Sequence, residues 1–140
     1  MSATRMAAAL IGVWSMVTSC RVAGSAAKPA AAPRLTAVVP DTIRLGSGDL
    51  AVFEIVGTGF DTSRTEPRNT VHIGSLTLNA VPSTEGGTRI RVTLPAELPS
   101  GGEAPPAQWR SGRYPVQVVT PAGGGDSLWV YVATPRGVRP

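Results

Sequence analysis

The chain has 140 residues, of which 42% are hydrophobic; this is enough for one domain with a buried core and too little for several. The formal net charge of +4 is mild, and the 13 basic residues are scattered along the sequence instead of forming the basic stripe typical of nucleic-acid-binding proteins. Composition and charge therefore argue against a nucleic-acid partner, and the single cysteine excludes an intramolecular disulfide.

The amino-terminal residues have the organisation of a bacterial export signal. Arg5 supplies a positive charge, residues 6–17 form an apolar run, and the run is followed by Thr-Ser and then Cys20. The run is shorter than the roughly 20 apolar residues that cross a bilayer. An aliphatic residue and two small residues before a cysteine resemble the lipobox, in which the cysteine becomes the lipid-modified first residue of the mature protein.

We therefore predict a helical lipoprotein signal peptide over residues 1–19 and acylation of Cys20. The lipid would hold the protein at the cell membrane or the outer membrane without a spanning helix. The alternative is an ordinary signal peptide cut within residues 23–27, in which case Cys20 is lost with it.

Residues 20–34 are predicted to be the lipidated cysteine and a flexible linker. The segment is rich in Ala, Pro, Gly and Ser, has no apolar periodicity, and is interrupted by Pro29 and Pro33. An extended or disordered linker of this length reaches roughly 40 Å at about 3.1 Å per residue.

From residue 35 onward, short apolar runs alternate with turn residues, a pattern typical of β-strands. Residues 89–94 alternate most regularly, with Ile90, Val92 and Leu94 on one face. Pro115 predicts that its part of strand 114–120 lies at an edge or at a first strand position, because proline cannot donate to a sheet ladder. Seven strands are predicted, at residues 35–39, 50–56, 70–73, 76–78, 89–94, 114–120 and 127–132.

These strands predict a β-sandwich over residues 35–133 followed by a frayed tail over 134–140, since no helical period occurs after residue 34. The core is predicted to contain Phe53, Ile55, Val71, Ile73, Ile90, Val92, Val116, Val118, Val130 and Val132.

The stretch from Phe53 to Phe60 pairs a strand pattern with a glycine turn. Gly57 and Gly59 are predicted to adopt backbone angles that a β-carbon disfavours, and Phe60 is predicted to fold back as an apolar plug. Residues 61–69 predict an exposed polar loop. Residues 95–112 predict a connection that is mobile or functional, because it is longer than most hairpin loops.

Several separated motifs resemble the IPT/TIG family of immunoglobulin-like domains. They are Pro40 with Gly46 or Gly48 before a strand, the stretch from Phe53 to Phe60, and residues 70–74, 89–95, 112–119 and 123–132. The resemblance covers residues 35–133, and residues 95–112 are longer than the usual connection in that family. It implies an all-β, immunoglobulin-like (E-set, IPT/TIG) β-sandwich of about seven strands that serves as a spacer or binding module, with no shared catalytic residues.

The residues that could support catalysis or bind a metal are few. His72 is the only histidine, and its position between Val71 and Ile73 predicts a solvated strand residue. Neither a G-x-S-x-G nor an H-E-x-x-H motif occurs. We therefore expect no enzymatic activity, no cofactor and no metal.

The aromatic residues are the best candidates for binding. If the aliphatic residues of strand 127–132 face inward, Trp129 and Tyr131 face outward, and Trp109 lies in the long connection. Outward aromatic rings can stack on sugars or anchor a protein partner.

Three functions fit this sequence. The first is an exported, non-enzymatic, lipid-anchored envelope protein that presents its domain for binding, adhesion or assembly. The second is a purely structural spacer or subunit of an envelope complex. The third is a carbohydrate-binding module that uses Trp129, Tyr131 and Trp109. The expected partners are the membrane, through acylated Cys20, and an envelope protein or glycan.

Overall fold

The structure, a computed structural model, describes residues 30–46, 51–100, 102 and 104–135. The predicted signal peptide, Cys20 and most of the linker lie outside the described residues, as does the end of the tail. None of the described residues belongs to a helix long and apolar enough to cross a membrane. The strands are β1 (Arg34–Val39), β2 (Thr42–Arg44), β3 (Ala51–Thr58), β4 (Asn69–Ile73), β5 (Leu76–Val81), β6 (Ser83–Thr84), β7 (Arg89–Leu94), β8 (Glu97–Leu98), β9 (Ala107–Gln108), β10 (Gly112–Thr120) and β11 (Gly123–Ala133).

The strands form two larger sheets and one small one. Four strands pair in the order β1-β3-β7-β6, five pair in the order β2-β11-β10-β4-β5, and β8 pairs with β9. Neighbours are antiparallel except for β2 and β11, which are parallel. The predicted all-β class is confirmed, and the arrangement is compatible with a β-sandwich.

The hydrophobic core draws side chains from both larger sheets. Alternation along each strand sends every second residue inward, so that β3 buries Phe53 and Ile55 while Glu54 between them stays partly exposed. All ten predicted core residues are at most 1% exposed. Each such side chain contributes roughly 1.5 to 3 kcal/mol when fully buried.

The chain changes sheets at Pro40. Residues before it, in β1, pair with β3, whereas residues after it, in β2, pair with β11. Ile43 of β2 is buried and joins the core. The sequence prediction ended the strand at Pro40 and missed β2, because a three-residue strand is too short to show a period.

Phe60 packs back on the stretch from Phe53 to Phe60 as predicted, but Gly57 and Gly59 allow this in different ways. Phe60 is buried and its ring lies against the α-carbon of Gly57. Gly59 has a φ of 78°, as a turn glycine should. Gly57 lies within β3 without a positive φ, so it is needed for close packing rather than for its backbone angles.

Pro115 lies inside β10, which is a central strand between β4 and β11 and not an edge strand, but the ladder with β4 covers only residues 116–119, so the part of β10 that contains Pro115 lies at a local edge. Its carbonyl oxygen accepts a hydrogen bond of 3.0 Å from the N–H of Gly74. The N–H and C=O of one residue point to the same side of an antiparallel strand. Proline has no backbone N–H, and the side of Pro115 on which that donor would lie faces the chain beyond Ile73, the last residue of β4. No hydrogen bond of the β4 ladder is therefore lost.

The linker packs on the domain before β1 begins. Pro33 is buried, and a β-carbon built on Gly125 would collide with the Pro33 carbonyl. A β-carbon on Gly59 would lie 3.3 Å from the carbonyl oxygen of Ala31. Residues 31–33, at the end of the predicted linker, thus already contact the domain.

Candidate binding surface

Two large aromatic side chains are exposed on the outer side of the five-stranded sheet. Val130 and Val132 of β11 are buried, and the alternate residues Trp129 and Tyr131 are 59% and 43% exposed. Leu128 is half-buried and packs against the core. The predicted outward orientation of Trp129 and Tyr131 is confirmed, and their role in binding stays a prediction.

Cross-strand neighbours extend this surface onto β10. Pro115 lies opposite Trp129, and Arg113 lies opposite Tyr131. The N–H of Tyr131 donates to the carbonyl oxygen of Asp41 (2.8 Å), so the backbone polar groups of Tyr131 point away from β10. The pairs with Arg113 and Pro115 are therefore of the non-hydrogen-bonded kind, in which facing side chains come closest.

On its other side Tyr131 is paired with Thr42 of β2. The exposed residues of these three strands form one continuous surface, which we call the aromatic face. It consists of Thr42, Arg113, Pro115, Trp129 and Tyr131.

Two open grooves flank Tyr131, and Thr42 and Tyr131 line both. The first groove, of about 350 Å³, contains the rings of Trp129 and Tyr131 together with polar side chains. The second, of about 450 Å³, continues beyond Tyr131 toward the end of β11. The first is lined by Asp41, Thr42, Arg113, Trp129, Val130 and Tyr131, and the second by Thr42, Arg44, Leu45, Tyr131, Ala133, Thr134 and Pro135.

Trp109 is a core residue and does not belong to this surface. It is 5% exposed, its indole N–H donates to the carbonyl oxygen of Pro95 (2.9 Å), and its ring packs edge-to-face on Tyr114 at 5.1 Å. Trp109 was predicted as a binding residue because it lies in the long connection, and its burial argues against that role. The physical reason is that its connection folds back on β10, where burial of an indole ring is strongly favourable.

The opposite end of the domain is held together by Asn69. Its side chain is fully buried, although residues 61–69 were predicted to be an exposed loop. Its Oδ1 accepts a hydrogen bond from the Asp61 N–H (2.7 Å), and its Nδ2 donates to the carbonyl oxygens of Asp61 and Val81 (both 2.9 Å). Ser83 donates to the same Asp61 carbonyl. Asn69 thereby ties the loop to β5.

The remaining candidates have local structural partners. The Nδ1 of His72 lies 3.0 Å from the Thr77 hydroxyl oxygen, on the side of the sheet away from the core. Arg89 bridges Glu85 (2.7 Å) and Glu54 (2.9 Å), and these hydrogen bonds raise the pKa of its guanidinium above the usual value. Within the described parts of the chain, no group of three or more His, Cys, Asp or Glu side chains could hold a metal ion.

The polar residues beside the two rings, Thr42, Arg44 and Arg113, were not predicted from the sequence. The alternation in residues 112–120 contains a signal for Arg113, because it lies one residue before the inward-facing Tyr114. Thr42 and Arg44 had no such signal, since β2 was not predicted.

Comparisons with known protein families and sequences found no match, so the function has to be argued from this geometry. No family model matches the chain, and no curated protein sequence is significantly similar to it. What the fold establishes is the class, an all-β protein with an exposed aromatic surface.

Proposed function

We propose that this protein is a non-enzymatic, lipid-anchored envelope protein whose immunoglobulin-like domain binds a partner through the aromatic face. The observation that carries the proposal is the exposure of Trp129 and Tyr131, two large rings side by side on one sheet. Tyr and Trp dominate the binding energy of many interfaces, because they bury much area at a small entropic cost.

The strand order supports an immunoglobulin-like sandwich of the IPT/TIG type. The order β1-β3-β7-β6 corresponds to the A-B-E-D sheet of that fold, and β11-β10-β4 corresponds to G-F-C. Residues 34–44 contribute to both sheets, through β1 and then β2. Cys20, the only cysteine, precedes the domain, so no disulfide joins the sheets.

The direction of β11 supports presentation away from the membrane. Pro33, where the linker meets the domain, lies against Gly125 near the start of β11. Tyr131 is six residues further along this strand, about 20 Å away at roughly 3.3 Å per residue. If Cys20 is acylated, the aromatic face lies in the half of the domain farther from the lipid.

The anchor predicts that Cys20→Ser removes both lipid and membrane attachment. In cells fed an alkyne analogue of palmitate, the wild-type chain should carry the label and sediment with membranes, and Cys20→Ser should do neither. Ser19→Ala keeps a small residue before the cysteine and should retain the label. Label on Cys20→Ser, or none on the wild type, would contradict the anchor.

The binding role predicts that Trp129→Ala with Tyr131→Ala weakens capture of the partner by about 30-fold or more, because truncating a hot-spot aromatic costs about 2 kcal/mol. The measurement is photocrosslinking in intact cells from a residue beside the face, followed by quantification of the captured species. Unchanged thermal unfolding of the variant would show that the domain is intact.

Arg91→Gln is the matched control, since Arg91 is exposed on β7 of the other sheet. Equal capture by the double variant and the wild type would leave the purely structural spacer as the better function.

A further inference from the structure

We infer that the aromatic face binds a polysaccharide chain that carries acidic sugar units. This inference rests on the proposed binding function of that face and names the ligand class. It comes from four features of the surface: the adjacent positions of its rings, the polar groups beside them, the two neighbouring grooves, and the excess of positive charge.

The rings provide flat apolar platforms. Trp129 and Tyr131 are separated by one residue on β11, and both side chains project from the same side of the sheet. A pyranose ring has an apolar C–H face that fits the negative face of an aromatic ring, while its hydroxyl groups remain at the periphery. Two adjacent platforms suit consecutive rings of one sugar chain.

Polar groups surround the rings where hydroxyl groups would lie. Asp41 offers carboxylate acceptors, Thr42 a hydroxyl group that can donate or accept, and Arg113 a fork of N–H donors. All three line the same groove as Trp129 and Tyr131. A ligand with alternating donors and acceptors around an apolar ring satisfies this set better than a purely apolar one.

The shape of the surface favours a chain over a single small molecule. The grooves of about 350 and 450 Å³ share Thr42 and Tyr131, so they are adjacent subsites on either side of Tyr131. A ligand long enough to cross Tyr131 contacts both grooves. A peptide that extended the sheet would instead pair with the backbone of the edge strand β2 and would not need the rings.

The charges favour an acidic chain. Arg113 lines one groove and Arg44 the other, whereas Asp41 is the single carboxylate that the described residues contribute to the two linings. Guanidinium groups pair with carboxylates in a bidentate geometry that lysine cannot reproduce. Acidic groups on separate sugar units could therefore be paired on both sides of Tyr131.

The test uses the full-length chain in detergent and sensor surfaces coated with polygalacturonate, dextran or poly-L-glutamate. These probes are an acidic polysaccharide, a neutral polysaccharide and a polyanion without sugar rings. We expect polygalacturonate to bind at least tenfold more tightly than either of the others. Trp129→Ala with Tyr131→Ala should lose at least tenfold, and Arg113→Gln severalfold.

Arg91→Gln removes the same charge from the opposite face and should bind polygalacturonate as the wild type does. Equal binding to poly-L-glutamate would reduce the interaction to charge and overturn the inference. Equal binding to dextran, with no effect of Arg113→Gln, would overturn its acidic part.

The two proposals fail separately. If no polysaccharide binds but the double aromatic variant still loses its crosslinked partner in cells, the inference is wrong and the proposed function stands. If the double variant behaves as the wild type in both measurements, both are wrong.

Discussion

Gly57→Ala should lower the free energy of unfolding by about 3 kcal/mol, because the added methyl group has no space. A β-carbon at this position would lie 2.8 Å from the Phe60 ring and would also collide with the Arg34 carbonyl oxygen. The ring is enclosed in the core, and β1 cannot retreat while Pro33 packs on Gly125. Unfolding in urea should show a midpoint lower by about 1 to 2 M with an unchanged slope.

Gly112→Ala is the matched control. Gly112 lies at the start of β10 without a positive φ, and a β-carbon there would meet no atom within 4 Å. Its stability should stay within about 0.5 kcal/mol of the wild type. A Gly57→Ala protein that unfolds at the wild-type midpoint would show that Phe60 and β1 can shift at little cost.

Asn69→Ala should lower the free energy of unfolding by a similar amount, about 3 kcal/mol, for a different reason. The substitution removes three hydrogen bonds and leaves the Asp61 N–H and the Val81 carbonyl oxygen without the partner that Asn69 supplied. Each buried polar group left unpaired costs about 1 to 3 kcal/mol. Calorimetry should show a melting temperature lower by about 15 °C for a domain of this size.

Asn79→Ala removes the same side chain from the exposed side of β5. The hydrogen bond that its side chain accepts from Thr70 is exposed and 3.4 Å long, so the melting temperature should change by no more than about 3 °C. Equal effects of the two alanine substitutions would refute the structural role of Asn69.

The sequence predicted the long strands because alternation is a strong local signal. Residues 89–94 show it most clearly, and β7 has those bounds in the structure. The described residues contain eleven strands instead of about seven. Short strands such as β6, with two residues, show no period, and they pair only because longer strands provide an edge.

Residues whose environment depends on tertiary contacts were harder to predict. Asn69 is polar and follows a charged segment, yet the Asp61 backbone folds over it and satisfies its amide. Trp109 lies in a segment without periodicity, and its burial depends on contacts with Pro95 and Tyr114 that no periodicity encodes. Trp129 and Tyr131 could be predicted as exposed because β11 alternates without interruption around them.

The path of residues 34–44, which form β1 and β2, has a mechanical consequence. β1 begins beside Gly125, and β2 reaches Tyr131, so the segment accompanies β11 along most of its length. A force applied between the linker and a ligand bound at Tyr131 therefore acts parallel to the strands. The hydrogen bonds between β1 and β3 would then share the force in shear instead of opening one after another, so the domain would resist tension if Cys20 is acylated and the aromatic face binds its proposed ligand.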